Sequence, residues 1–415
     1  MTRPWPAADP RAFSGLAGQL VRVIDPATEA DTMAVLAQLL VAVGNALGRS
    51  ACFMVEDTAH YLNLMTIIVG ETAKARKGTA WHRVERIMAL ADDTWVRDRV
   101  ASGLSSGEGL IYHVRDPVFK QKPQRENGQI IGYEDVLEDP GVADKRLLAL
   151  ESEFAGPLRV MKREGSTLSQ VIRAAWDGSP LRTLTRNSPL QATGAHVSII
   201  GHITDEELRR ELSHTDYANG FLNRFLLVCA RRSKCLPDGG TVDDAELIPL
   251  ARALTVAINF GRSVGALTRT PEARDAWHTI YPSLSDGRPG LLGAATSRAE
   301  AQVTRLSALF AVLDMNDMIR LPHHEAALAV WDYCLQSATY VLGDSSGDPV
   351  ADRILSALKT NPPGLPREAI RELFSRNRSA QEIDRALRLL QAQGRAKVSR
   401  VLTGGRPAEV WEYTA

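Results

Sequence analysis

The sequence predicts a mixed α/β chain, with a mostly parallel sheet covered by helices on both faces and a small C-terminal unit of helices and two strands. Three observations carry this. Apolar runs of strand length, LNLMTIIV (residues 62–69), the KRLLALE run and HVSIIGHIT (residues 196–204), alternate with helical periodicity and lack the polar alternation of a one-sided sheet. The first run ends on Gly70 and a polar loop before a helical pattern takes over from Ala80. After DSSGDP (residues 344–349) the pattern becomes short amphipathic helices and two short strands around Gly404-Gly405.

Each element follows from its residues. Residues 16–48 hold apolar residues at helical spacing, with Thr32 before MAVLAQLLVAV, and give a helical N-terminal lead-in over 1–60. An α/β core follows over 61–237, containing a glycine-punctuated helix start at Ser102–Asp116 and a charged surface loop or hairpin at 118–144. The core continues with the acidic-ended strand of Lys145–Gly156, a helix and basic loop over Gly165–Pro189, and the 196–204 strand. NGFLNRFLLVCARRSK leads into a further strand. Residues 238–345 read as a helical subdomain and 346–415 as a winged helix-turn-helix.

At 415 residues the chain can bury several cores, and equal counts of 49 basic and 49 acidic residues leave no global field toward nucleic acid. Four dispersed cysteines without a C-x-x-C pair argue against a disulfide scaffold or zinc ribbon and suit a reducing cytoplasm. No apolar run reaches the length of a membrane span, and MTRPWPAADPRAFSG does not read as a signal peptide, so a cytoplasmic protein without membrane contact is expected. There is no H-E-x-x-H, and Gly107–Gly109 does not follow a strand, which removes the metal hydrolase and dinucleotide readings.

The chemistry centres on IIVGETAKARKGTAW (residues 67–81). A phosphate-binding loop has the form G-x-x-x-x-G-K-[ST]. Counted from Gly70, Ala75 and Arg76 fall where Gly and Lys belong, and Lys77, Gly78 and Thr79 supply those residue types late. Lys74, Arg76 and Lys77 are therefore all candidates to meet phosphate. Glu151 and Glu153 are two apart, on the same side if both lie in a strand; Glu151 with Thr79 would hold Mg²⁺ and Glu153 would orient water, or the roles are exchanged. His202 follows a buried-type strand, where a polar residue would sense the γ-phosphate, and Arg224 would reach a neighbouring subunit's nucleotide. Arg182 and Arg186 lie in a polar loop suited to single-stranded DNA. In the C-terminal unit Arg378, Arg385, Arg388, Arg400 and Arg406 would contact duplex phosphates, diluted by nearby acids.

These elements occur in the order of an ASCE-type P-loop ATPase, and the chain resembles one family in particular. PATEAD (26–31), VGETAKARKGTAW (69–81), SGLSSGEGLIYHVRDP (102–117), LALESEFA (148–155), AAWDG (174–178), HVSIIGHIT, NGFLNRFL (219–226) and RAEAQVTRLSALFAVLD (298–314) carry the resemblance. It is similar to helicase-like ATPases, often described only as a domain of unknown function, that accompany primase/polymerase modules on plasmids, phages and integrative elements, notably in actinobacteria. The resemblance implies a RecA-like P-loop core, ATP and Mg²⁺ as cofactors, and a homo-oligomeric ring such as a hexamer. It further implies DNA as partner, single-stranded through the core and duplex through the winged helix, and a primase or polymerase on a separate chain. The expected function is an ATP-dependent helicase or translocase serving a mobile element. The alternative is a non-hydrolysing DNA-binding initiator or regulator.

Overall fold

The protein is described by a computed structural model covering residues 4–127, 129–183, 190–212, 219–288, 290–343, 346, 348–375, 377–401 and 408–414. It divides into two compact units: Met1–Glu211 with Arg224–Ser285 and Arg298–Ser337, and Leu212–Asn223 with Asp286–Ser297 and Ala338–Ala415.

The first unit is built on a five-stranded sheet of β1 (Met65–Gly70), β2 (Val100–Ala101), β3 (Arg146–Glu151), β4 (His196–Thr204) and β5 (Leu226–Ala230). The strand order is β5-β1-β4-β3-β2, and every neighbouring pair is parallel. β1 and β5 are buried throughout and β4 in all but Thr204, which is why these strands read as continuous apolar runs.

Helices α1 (Gly15–Ile24), α2 (Thr32–Leu47) and α3 (Lys77–Arg99) pack with this sheet in one hydrophobic core. Asp31 starts α2 by accepting from Met33 N at 3.0 Å, and Gly48 ends it at φ 74°. Every residue from Met33 to Leu47 is buried, as befits a helix apolar on all sides. Its polar residues must then be paired. Asn45 donates to Leu147 O and His196 O, each at 3.0 Å, and accepts from Trp95 Nε1 at 3.0 Å, tying β3 to β4. Bonds of this kind are worth about 1 kcal/mol each net, and their orphaned partners would cost more.

Two differences from the sequence reading stand out. Residues 1–60 are more than a helical lead-in: Cys52–Val55 and Thr58–Tyr61 form a hairpin about Glu56 (φ 51°). Ala266–Arg269 and Met318–Ile319 extend it to four strands. Strands of four residues give too little periodicity to read. Helices of the 238–345 segment, including Asp244–Gly261 and Ala299–Leu313, contribute to the same core as the parallel sheet. Residues 118–144 contain an exposed two-stranded ribbon, Val118–Glu126 against Gln129–Asp139.

In the second unit, helices Pro349–Thr360, Arg367–Glu372 and Ala380–Ala392 surround a core that includes Ile354, Leu358, Ile370, Leu387 and Trp411. Strands Leu365–Pro366, Ala408–Tyr413 and Ala396–Val401 pair antiparallel in that order. Ser379 and Glu382 form a capping box that starts the last helix. Among the described residues no helix is long and apolar enough to cross a membrane.

Candidate functional site

The 70–77 loop joins the carboxyl end of β1 to α3. Thr72 accepts from Lys74 N at 3.1 Å and starts a short 3₁₀ turn, Ala73–Ala75. Arg76 then adopts φ 58°, ψ 27°, an uncommon left-handed conformation for a non-glycine residue, and Lys77 opens α3, which is kinked at Asp92 (φ −154°, ψ 75°). Aligned on the helix start, Lys77 falls at the lysine position of the expected pattern, Arg76 at its second glycine and Gly78 where a hydroxyl belongs. Thr79 is one residue further on.

Lys77 folds back over the loop, its Nζ donating to Thr72 O at 3.4 Å. Gly70 is required there: a Cβ would stand 2.6 Å from the Ala75 Cβ and 2.8 Å from Lys77 Nζ. Burial pulls the Lys77 ammonium below the usual lysine range, with the Glu207 charge opposing. Arg76 is held elsewhere. Its Nε lies 2.7 Å from Glu29 Oε2, a close ion pair without hydrogen-bond alignment, and Arg232 reaches the same carboxylate at 2.9 Å. Lys74 is exposed. The loop thus presents Lys77, the cradle left by Gly70 and the N–H groups of the first turn of α3, an arrangement suited to an anion.

The other expected residues sit differently. Glu151 is the last residue of β3, and Glu153 lies beyond it in an exposed turn, so strand alternation does not place the two acids on one side. Glu151 Oε1 accepts from Gly103 N at 2.6 Å and Leu104 N at 2.8 Å, fixing the loop after β2. Its register partner is Gly201, whereas Gly70 is level with Thr204. Glu151 is therefore two strands across (about 10 Å) and three residues below (about 10 Å) the loop-bearing strand end. Its carboxylate is already engaged by the two backbone N–H groups of Gly103 and Leu104.

His202 does not end its strand either; β4 runs on to Thr204. The imidazole is buried at 2.9 Å from Gln38 Oε1 of α2, and burial, with Lys77 and His82 adding, pushes its pKa down to about 4. The polar residue level with Gly70 is Thr204, whose Oγ1 donates to Glu207 Oε2 at 2.8 Å and accepts from Glu207 N at 3.2 Å. The sequence reading ended the strand at Thr204 but gave neither Thr204 nor Glu207 a role, although T-x-x-E is a capping-box signature.

Arg224 precedes β5 at the opposite, amino end of the sheet and is buried. Its Nη2 donates to Asp177 Oδ2 at 2.6 Å within the same chain, so it is not presented toward a neighbouring subunit. Arg298 meets Asp177 at 3.4 Å, and Arg305, Arg298 and Arg224 lie 3.7, 5.0 and 5.7 Å from the Trp176 ring. Arg305 also donates to Asn63 O and Trp176 O, which locks this arginine cluster under the sheet.

No protein-family model and no curated protein matches this chain.

Of the residues expected to meet DNA, Arg182 is exposed in a short strand, Leu181–Arg182, paired with Gln191–Ala192. Arg378, Arg385, Arg388 and Arg400 are exposed on the second unit. Arg378 pairs with Glu382 at 3.0 Å and Arg385 with Asp348 at 3.1 Å, while Arg400 stands opposite Glu409 in the ladder. Arg186 and Arg406 lie outside the described residues.

Proposed function

We propose that the chain is a P-loop-type ATPase of the RecA-like kind, acting on DNA as a helicase-like translocase in the upkeep of a mobile element, with a winged helix-turn-helix at its C-terminus. The observation that carries this is Lys77, folded over Gly70 at the carboxyl end of a central strand in a β5-β1-β4-β3-β2 parallel sheet. Ligands of open parallel sheets bind outside the carboxyl ends of the strands. The C-terminal order of helix, strand, two helices and two antiparallel strands supports the winged-helix reading.

In this reading Lys77 and the first N–H groups of α3 bind the β- and γ-phosphates, exchanging one weak bond to Thr72 O for charge-assisted ones. Thr79 would hold Mg²⁺, which when bound would neutralise phosphate charge, and Glu153, exposed on the turn after β3, would orient the attacking water. Glu207, whose charge reaches Lys77, is the second acid at this end. Thr204, level with Gly70, would sense the γ-phosphate in place of His202. A ring assembly, single-stranded DNA through the core and a separate primase belong to the same proposal.

The test is phosphate release from Mg·ATP with and without single-stranded DNA, beside Glu153→Gln. Release stimulated by DNA and lost in the variant supports a motor. A second reading has its own support: Glu151 is spent on backbone, Gly78 follows Lys77 and Arg224 is buried against Asp177. These favour a DNA-binding regulator that holds nucleotide without hydrolysing it. Binding of ATP with no release in any condition would establish that reading instead.

A further inference from the structure

Beside the 70–77 loop, at the end of β5, a cavity of about 510 Å³ opens among Trp5, Thr32, Arg231, Arg232 and Tyr333. Its size lies inside the range of about 300–1,000 Å³ common to small-molecule sites. Ala230 pairs with Gly70 across β5 and β1, so the backbone leading into Arg231 of the cavity runs about one strand spacing (~5 Å) from the start of the loop. The two share a support as well, because Glu29 binds both Arg76 of the loop and Arg232 of the cavity.

Most polar groups of this cavity are already engaged. Asp31 accepts from Arg231 N and caps α2, and Tyr333 donates its hydroxyl to Cys229 O at 2.8 Å. What faces the space is flat: the Arg231 guanidinium lies 5.0 Å from the Trp5 ring. A guanidinium beside an indole offers two planar surfaces for a heteroaromatic ring, and positive charge suits a phosphorylated ligand.

Building on the nucleotide reading above, we propose that this cavity takes the base and ribose of the nucleotide whose phosphates the 70–77 loop holds, with the base stacked on Trp5 and Arg231. The chain's amino-terminal residues and the PATEAD segment thereby become part of the nucleotide site.

The experiment measures equilibrium binding of Mg·ATP and of inorganic tripolyphosphate to the full chain, in wild type, Trp5→Leu, Arg231→Leu and Lys77→Ala. Trp5→Leu and Arg231→Leu should each weaken ATP about ten-fold, the size of one base–aromatic contact, and leave tripolyphosphate unchanged. Lys77→Ala should weaken both. Arg231→Leu keeps the backbone bond to Asp31, so it remains informative if Trp5→Leu loosens the amino terminus. ATP affinity unchanged by both cavity variants but lost in Lys77→Ala overturns the proposal and leaves the nucleotide reading standing. Equal loss of ATP and tripolyphosphate in the cavity variants also overturns it, since the cavity would then belong to the phosphate site. If wild type binds neither ligand, the nucleotide reading falls and takes this proposal with it.

Discussion

At the carboxyl end of the parallel sheet, Lys77 makes one long bond to a carbonyl and is half-buried. At the amino end, Arg224, Arg298 and Arg305 crowd the Trp176 ring, with Asp177 taking two of them and backbone carbonyls the third. Both ends gather basic residues near an acid, and both looked functional in the sequence. The difference lies in what each cation gives up by moving. Lys77 can leave Thr72 O for a phosphate at little cost, whereas removing a cation from a buried pair leaves an uncompensated charge. A basic residue in the right chain order is a ligand-binding candidate only where its present bonds are weaker than those a ligand would offer.

Lys77→Ala tests this contrast hardest. Nucleotide turnover should fall more than about 100-fold, the scale of losing one fixed transition-state charge, while the unfolding midpoint barely moves. Retained turnover would sink the assignment of the carboxyl end. Arg224→Ala should do the reverse and cost about 2 kcal/mol of stability, the loss of a bond to a carboxylate that keeps Arg298, measured by urea unfolding. If Arg224 instead acts on a neighbour's nucleotide, the variant keeps its stability and regains activity when mixed with Lys77→Ala chains.

A subtler test uses His202, neutral in the fold with a pKa near 4 against 6.5 in the open chain. The unfolded state binds the extra proton, so this contribution is fully present above pH 6.5 and is lost as pH falls from there toward 4. The size is about 3 kcal/mol at the acid end, at about 1.4 kcal/mol per unit. His202→Gln should flatten the fall in Tm between pH 7 and pH 5; an equally steep fall would show that other groups set it. The smallest effect expected is from Thr204→Ala, which removes a helix cap at about 1 kcal/mol. If Thr204 also senses phosphate, its turnover falls by more than its stability explains.

Much of the fold was legible because burial on both faces writes itself as an apolar run: β1, β4 and β5 all sit within the segments expected for them. The start of α2 was read one residue late, at Thr32, because the capping side chain is that of Asp31 just before it, which accepts from Met33 N. The hairpin at 52–61 was not legible, its strands being only four residues long. The site was legible in type but not in register. The sequence put Glu151 and Glu153 together on one strand end and His202 at the polar tip of the 196–204 strand, whereas β3 stops at Glu151 and His202 lies two residues inside β4.

What the amino-acid order by itself determined is local: that the long apolar runs are strands, that Gly70 begins a loop, and that a helix follows it. The tertiary structure decided which partner each polar group has. Arg224 meets Asp177, 47 residues away, and Trp5 faces Arg231 across more than half the chain. Those pairings follow from the order of strands in the sheet, which depends on how whole faces bury against one another and not on any short stretch of residues.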